Sequence, residues 1–89
     1  MKIYPTKNFK KNYKKRIKSN KRLVKRFDER YDLFEENPEN PILLDHSLSG
    51  KLTGHRAFSV TGDIRVIYYI FENVTYFVDI GTHNQVYGK

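Results

Sequence analysis

Apolar residues recur about every four positions up to Phe34 and at alternate positions from Ile64 onward, and the change falls after Asn37-Pro38-Glu39-Asn40-Pro41. A helix repeats its faces about every 3.6 residues and a strand every two, so the chain is helical before that linker and β-rich after it. On the helical side Phe9, Tyr13 and Ile17 form one stripe, and Leu23, Val24, Phe27, Tyr31 and Phe34 a second. Thr6 and Ser19-Asn20 stand where side-chain oxygens can cap the two helices. Pro38 ends the second, because the residue before a proline avoids the α region. Ile3 and Tyr4, just before Pro5, read as a short first strand.

Past the linker, 42–54 is loop-rich and holds two glycines, and β-rich runs follow at 55–60, 64–71 and 74–80. Thr61-Gly62-Asp63 and Glu72-Asn73 are short enough to be hairpin turns. The run 64–71 is apolar on both faces, as a central strand is. In the last run Val74, Tyr76, Val78 and Ile80 alternate with Thr75, Phe77 and Asp79, which predicts two separate faces. The expected fold is therefore α+β. It has a short first strand, a basic two-helix hairpin, and an antiparallel meander with the helices packed on one face.

Eighty-nine residues make a single domain, 1–89, with one small core. The chain has no cysteine, which excludes disulfides and thiolate metal sites. Its first residues lack the apolar segment of a secretory signal, and no apolar run approaches the roughly 20 residues of a membrane span. A cytoplasmic protein is expected.

Charge is segregated. Residues 1–30 hold 13 of the 17 Lys and Arg against Asp28 and Glu29, a net +11, whereas 31–89 carry 4 basic and 8 acidic residues, a net −4. Such a field draws polyanions. The plain alternative is a solvated helix face, but the density exceeds what solubility needs. Lys14, Lys15, Arg22 and Arg26 are the natural phosphate contacts on the helices, with Lys51 and Arg56 further on.

No phosphate-binding glycine loop, zinc spacing or nucleophile elbow is present. What remains is a polar set at the ends of the meander: His46, Asp63, Arg65, His83 and Tyr87. Cutting RNA through its own 2′-hydroxyl needs a base, an acid and a cation for the charge that builds on phosphorus oxygens. Histidine fills either proton role near neutral pH, and arginine offers a planar fork to phosphate. An aromatic ring can stack an unpaired base. Each member also has a structural alternative. A loop histidine is commonly a surface residue, which is the plain reading of His55 and of His46. Asp63 can shape the turn, Arg65 can pair with Asp79 across strands, and Tyr87 can anchor the C-terminus.

Three segments in order after a basic helix pair carry a more specific signal. They are Leu44-Asp45-His46-Ser47-Leu48-Ser49-Gly50, then Gly54-His55-Arg56 with Gly62-Asp63-Ile64-Arg65-Val66-Ile67-Tyr68, and last Gly81-Thr82-His83-Asn84-Gln85-Val86-Tyr87. Together they resemble the RelE superfamily of type II toxin–antitoxin toxins, and within it the YafQ-like group, over nearly the whole chain. The resemblance implies a toxin that enters the ribosomal A site and cuts bound mRNA without a metal or cofactor. It also implies a cognate acidic antitoxin that silences it. His46 matches the first family histidine, Asp63 the family aspartate, and His83 the histidine assigned as proton donor. Tyr87 matches the terminal aromatic, and Arg65 the phosphate-holding arginine of the RelE branch. One departure is Ser59, which stands where YafQ-like toxins carry a further histidine. His55, four residues earlier on the same strand face, is a partial substitute at best. ParE-type relatives share the fold but bind DNA gyrase without cutting RNA, and they form the rival expectation.

Overall fold

The computed structural model describes residues 1–88. Lys2–Pro5 forms β1, Lys7–Arg16 α1 and Lys21–Glu36 α2. After the linker come β2 (His46–Ser47), β3 (Arg56–Ser59), β4 (Ile64–Phe71), β5 (Val74–Thr82) and a short helix α3 (His83–Tyr87). The five strands form one sheet in the order β1-β5-β4-β3-β2. β1 runs parallel to β5, and all other pairs are antiparallel. The expected α+β fold holds, with His46 on a two-residue edge strand rather than in a loop, and with His83 opening a helix.

Both expected caps form. Thr6 Oγ1 accepts from the Phe9 N–H at 3.3 Å while its own hydroxyl donates to the Phe77 carbonyl at 2.8 Å. The cap therefore also fixes the start of α1 on β5. Asn20 Oδ1 accepts from the Arg22 and Leu23 amides at 3.1 and 3.2 Å. The helices lay their apolar stripes on one sheet face. Phe34 stacks on Phe58 at 4.6 Å and meets the edges of Tyr68 and Phe77 at 5.0 and 5.8 Å. Phe58, Val66, Tyr68, Phe77 and Ile80 are all buried beneath them. Burying rings removes large apolar areas from water, which is how so short a chain holds a core.

The alternation expected for β5 breaks in the middle. Tyr68 pairs with Phe77 but Ile67 pairs with Asp79, so one extra residue is inserted into β5 at Val78. This bulge returns Ile80 to the face of Thr75 and Phe77, and all three are buried. The predicted faces hold before the bulge and swap after it. At Glu72-Asn73 both residues have positive φ, 49° and 69°, the signature of the two-residue hairpin turn whose twist matches its strands.

Lys14, Lys15 and Arg22 are exposed, as expected for the outer side of the hairpin. Arg26 is also exposed, with Nε 3.6 Å from Glu29. Among the described residues no helix is long and apolar enough to cross a membrane.

Candidate active site

Register decides which side chains share the sheet face opposite α1 and α2. Ser59 pairs with Arg65, which pairs with Gly81; in the next row His46 pairs with Ala57, which pairs with Ile67. Directly paired residues project to the same side. His46, Ser59 and Arg65 therefore occupy one face in adjacent rows.

Helix α3 folds onto this face. Thr82 is its N-cap, and the capping box is complete: Gln85 N–H donates to Thr82 Oγ1 at 3.2 Å and Thr82 N–H to Gln85 Oε1 at 2.8 Å. The Thr-x-x-Gln spacing carried that signal in the sequence. Gly81 leaves room for the Gln85 and Arg16 side chains at the fold-back. A Cβ there would lie 2.6 Å from Gln85 Oε1 and 2.8 Å from Arg16 Nη1.

The helix brings two expected residues to a third. The Arg65 guanidinium carbon lies 5.8 Å from the centre of the Tyr87 ring, and the His83 ring meets Tyr87 edge-on at 4.6 Å. His83 and Tyr87, with Leu48, Ser49, Lys51 and Leu52, line a shallow cleft of about 380 Å³. Lys51 is exposed at its rim. Asp63 lies immediately before Ile64, the partner of Thr82, so Asp63 and His83 leave the sheet side by side. Asp63 is exposed, and its backbone N–H donates to Thr61 Oγ1 at 3.1 Å.

Three buried polar atoms have no protein partner: Arg65 Nε and Tyr87 Oη here, and His55 Nδ1 further along the sheet. Buried polar groups are nearly always hydrogen-bonded, so such a set marks a place where a ligand or water supplies the missing contact. Two of the three belong to the Arg65–Tyr87 contact.

Arg65 does not pair with Asp79, the alternative left open by the sequence. α1 runs beside β5 past the end of β1 and takes that carboxylate. Asp79 Oδ1 accepts from Asn12 Nδ2 at 2.7 Å, Arg16 Nη1 at 3.3 Å and the Ile80 N–H at 2.8 Å. Arg16 Nη1 also donates to the Ile80 carbonyl at 2.9 Å, and Asn8 Nδ2 to the Val78 carbonyl at 2.7 Å. Side chains of α1 thus cover the edge of β5 where β1 has stopped. No periodic pattern singled out Arg16 or Asn12, because their partner lies more than 60 residues away.

His46 is exposed, with Nδ1 2.9 Å from the Leu44 carbonyl. A carbonyl only accepts, so the proton sits on Nδ1 and neutral His46 presents a bare Nε2. Ser59 Oγ donates to the Thr61 carbonyl at 2.6 Å, so its one proton is committed. His55 sits just before β3 with its ring edge-on to Tyr69 at 5.3 Å. Four residues along an extended chain span about 13 Å, so His55 does not reach the place of Ser59. Arg56 projects to the other sheet face, since its partner is Tyr68. There Arg56 Nε donates to Asp45 Oδ1 at 2.7 Å, and the Tyr68 hydroxyl donates to the second oxygen. It lies apart from the Arg65–Tyr87–His83 group. Among the described residues no three His, Asp or Glu side chains converge as a metal site would require.

The fold has solved counterparts. The crystal structure of YafQ from E. coli strain BL21(DE3) superposes with a TM-score of 0.79 at 24% identity, covering 97% of each chain. A metal-bound toxin from Helicobacter pylori gives 0.73 at 28% identity, over 97% of this chain and 98% of that one. A YoeB/ParE toxin from Agrobacterium tumefaciens gives 0.77 at 16% identity, over 93% and 99%. No curated protein sequence matches. Residues 1–88 match the family described as "Bacterial toxin of type II toxin-antitoxin system, YafQ". The match takes in both the basic helices and the α3 site, and the chain belongs to that YafQ family of type II toxins.

Proposed function

We propose that this toxin is an endoribonuclease that cuts mRNA on the ribosome, using the RNA's own 2′-hydroxyl as nucleophile. The observation that carries this reading is the pair of buried, unpartnered atoms Arg65 Nε and Tyr87 Oη beside the exposed His83. A phosphate seated there satisfies both and lies next to an imidazole. His83 gives a proton to the departing 5′-oxygen. His46, with its bare Nε2, or Asp63 takes the proton of the 2′-hydroxyl. The 2′-oxygen then attacks phosphorus and the 5′-oxygen leaves, giving a 2′,3′-cyclic phosphate and a 5′-hydroxyl. Arg65 holds the charge that gathers on the phosphate, and Tyr87 positions the nucleotide. These steps use no metal or cofactor.

The reading extends to partners. A net +11 on residues 1–30 suits ribosomal RNA, and equally an acidic antitoxin that folds on binding. E. coli YafQ has been solved in a toxin–antitoxin complex with DinJ. The place of action is the cytoplasm.

The test is primer extension and end-group analysis on translated mRNA. Wild type should cut, and His83→Gln should slow cutting about 10²–10⁴-fold while leaving folding intact. Intact mRNA alongside inhibited gyrase would move the protein to the ParE-type activity instead.

A further inference from the structure

A second row of rings crosses the same sheet face. Tyr4 of β1 pairs with Tyr76 of β5, which pairs with Tyr69 of β4. Tyr69 and Tyr76 are stacked, with centroids 5.0 Å apart and planes at 19°. Tyr4 meets Tyr76 edge-on at 5.8 Å, and His55 closes the far end against Tyr69. One row further along, Lys2 pairs with Val74 and Val74 with Phe71. Alternation places Lys2 and Phe71 on the face of Tyr4 and Tyr69.

Cross-strand aromatic pairs stabilise sheets on their own account, and that explains Tyr69 and Tyr76. It does not explain the two rings at the margins. Tyr4 is 53% exposed and Phe71 58% exposed, so both offer open ring surface to solvent. Tyr4 has Tyr76 edge-on at one side, which leaves its outer face for a base. β5 separates the two open rings, which sit one same-face row apart, by about 12 Å on the diagonal. Lys2 lies beside Tyr4 on the edge strand, across β5 from Phe71. Arg65 lies on β4 with Tyr69 and Phe71, on the same face and about 20 Å from Phe71 along the strand.

We propose that Tyr4, Phe71 and Lys2 form a second RNA subsite, which stacks unpaired bases of the strand flanking the scissile bond and contacts its backbone. This rests on the endoribonuclease reading for its choice of ligand. The patch has the two components of sequence-tolerant single-strand binding: open aromatic faces and positive charge on a shared surface. It shares its sheet face with Arg65, with the buried Ile67 between them, so a strand leaving Arg65 reaches the patch several nucleotides on.

The test uses a short 2′-O-methyl oligoribonucleotide, which binds but lacks the nucleophile, and no ribosomes. Binding is read as fluorescence anisotropy of an oligonucleotide labelled at its 5′ end, a signal that none of the ring substitutions removes. Tyr4→Leu and Phe71→Leu should each weaken binding about 5- to 150-fold, and Tyr4→Phe should bind like wild type. Wild-type affinity in both leucine variants would overturn the proposal. So would leucine variants that keep RNA affinity but lose affinity for the antitoxin, because the patch would then be a protein interface. Ring-dependent binding by a protein that leaves translated mRNA uncut would support the subsite and remove the cleavage reading.

Discussion

Arg65 and Tyr87 face each other at 5.8 Å, and the inner polar atom of each, Nε and Oη, is buried without a protein partner. Neither belongs to the main core, and each is a polar group whose hydrogen bond has to come from a ligand or water. A phosphate seated between them would replace that water and satisfy both atoms at once.

Tyr87→Phe separates the two roles of that hydroxyl. Removing an unpartnered buried polar group should stabilise the free protein by about 1 kcal/mol, read as a higher denaturant midpoint. The same change should slow mRNA cutting. Arg65→Lys keeps the charge but loses the planar fork, and a fall of about 10²-fold or more is expected. A Tyr87→Phe protein that is less stable and fully active would refute the ligand-pairing account.

Gly81→Ala tests how α3 is placed. The added Cβ meets Gln85 and Arg16 side chains at 2.6 and 2.8 Å, and Gln85 is half of the capping box that starts α3. The Gln85 and Arg16 side chains should swing aside, opening the capping box and loosening the hold of α3 on Arg65, while the core beneath Ile80 stays packed. Activity should therefore fall more than stability, with a loss of roughly 1–3 kcal/mol in thermal or denaturant unfolding. Parallel collapse of both would mean that Gly81 serves the sheet rather than the site.

Much of this arrangement was legible in the sequence, and the parts that were not share a cause. Local signals worked: Thr6 and Asn20 cap as expected, and Asn37-Pro38 ends α2. The Glu72-Asn73 turn was legible as well. The bulge at Val78 was hidden because one inserted residue leaves the composition unchanged while reversing the faces beyond it. Arg65 had two possible partners by spacing, phosphate or Asp79. Only Arg16 and Asn12, placed by the docking of α1, remove the second. Arg56 looked like a free cation until Asp45 claimed it from the neighbouring loop. The site residues were legible by type, whereas their availability depended on contacts between distant segments.

Tyr68 gives the fold a dependence on alkaline pH. Burial chiefly, and then the bond to Asp45, raise its phenol above the ordinary 10.0. The folded state therefore holds this proton where the unfolded chain has lost it. Its contribution to stability is complete below about pH 10 and is lost as pH rises through the raised folded value. Tyr13 and Tyr31 are raised as well, both mainly by burial, so the comparison must be with a single variant. Tyr68→Phe should be less stable than wild type at neutral pH, by about 1.5–3 kcal/mol for a bond to a carboxylate. The gap should narrow above pH 10. Denaturant midpoints measured from pH 7 to 11 would reveal it, and a constant gap would rule out this titration.

The basic helices make a prediction that depends on salt. Lys14, Lys15 and Arg22 are exposed, whereas Arg26 already has Glu29 at 3.6 Å. If they hold RNA phosphates, each contact releases a counterion, and log affinity falls with log salt by about 0.7–0.9 per contact. Ribosome binding by the His83→Gln protein, measured across a potassium chloride series, isolates this term because no substrate is consumed. Replacing Lys14 and Lys15 together with Gln should reduce the slope by about 1.5. Arg26→Gln should reduce it less, since part of that charge is already answered by Glu29. The single-turnover cutting rate at saturating ribosome should not change in either variant, because neither helix face reaches the Arg65–Tyr87 contact. Salt-independent affinity, or an unaltered slope in the double variant, would leave the helices with solubility alone as their role.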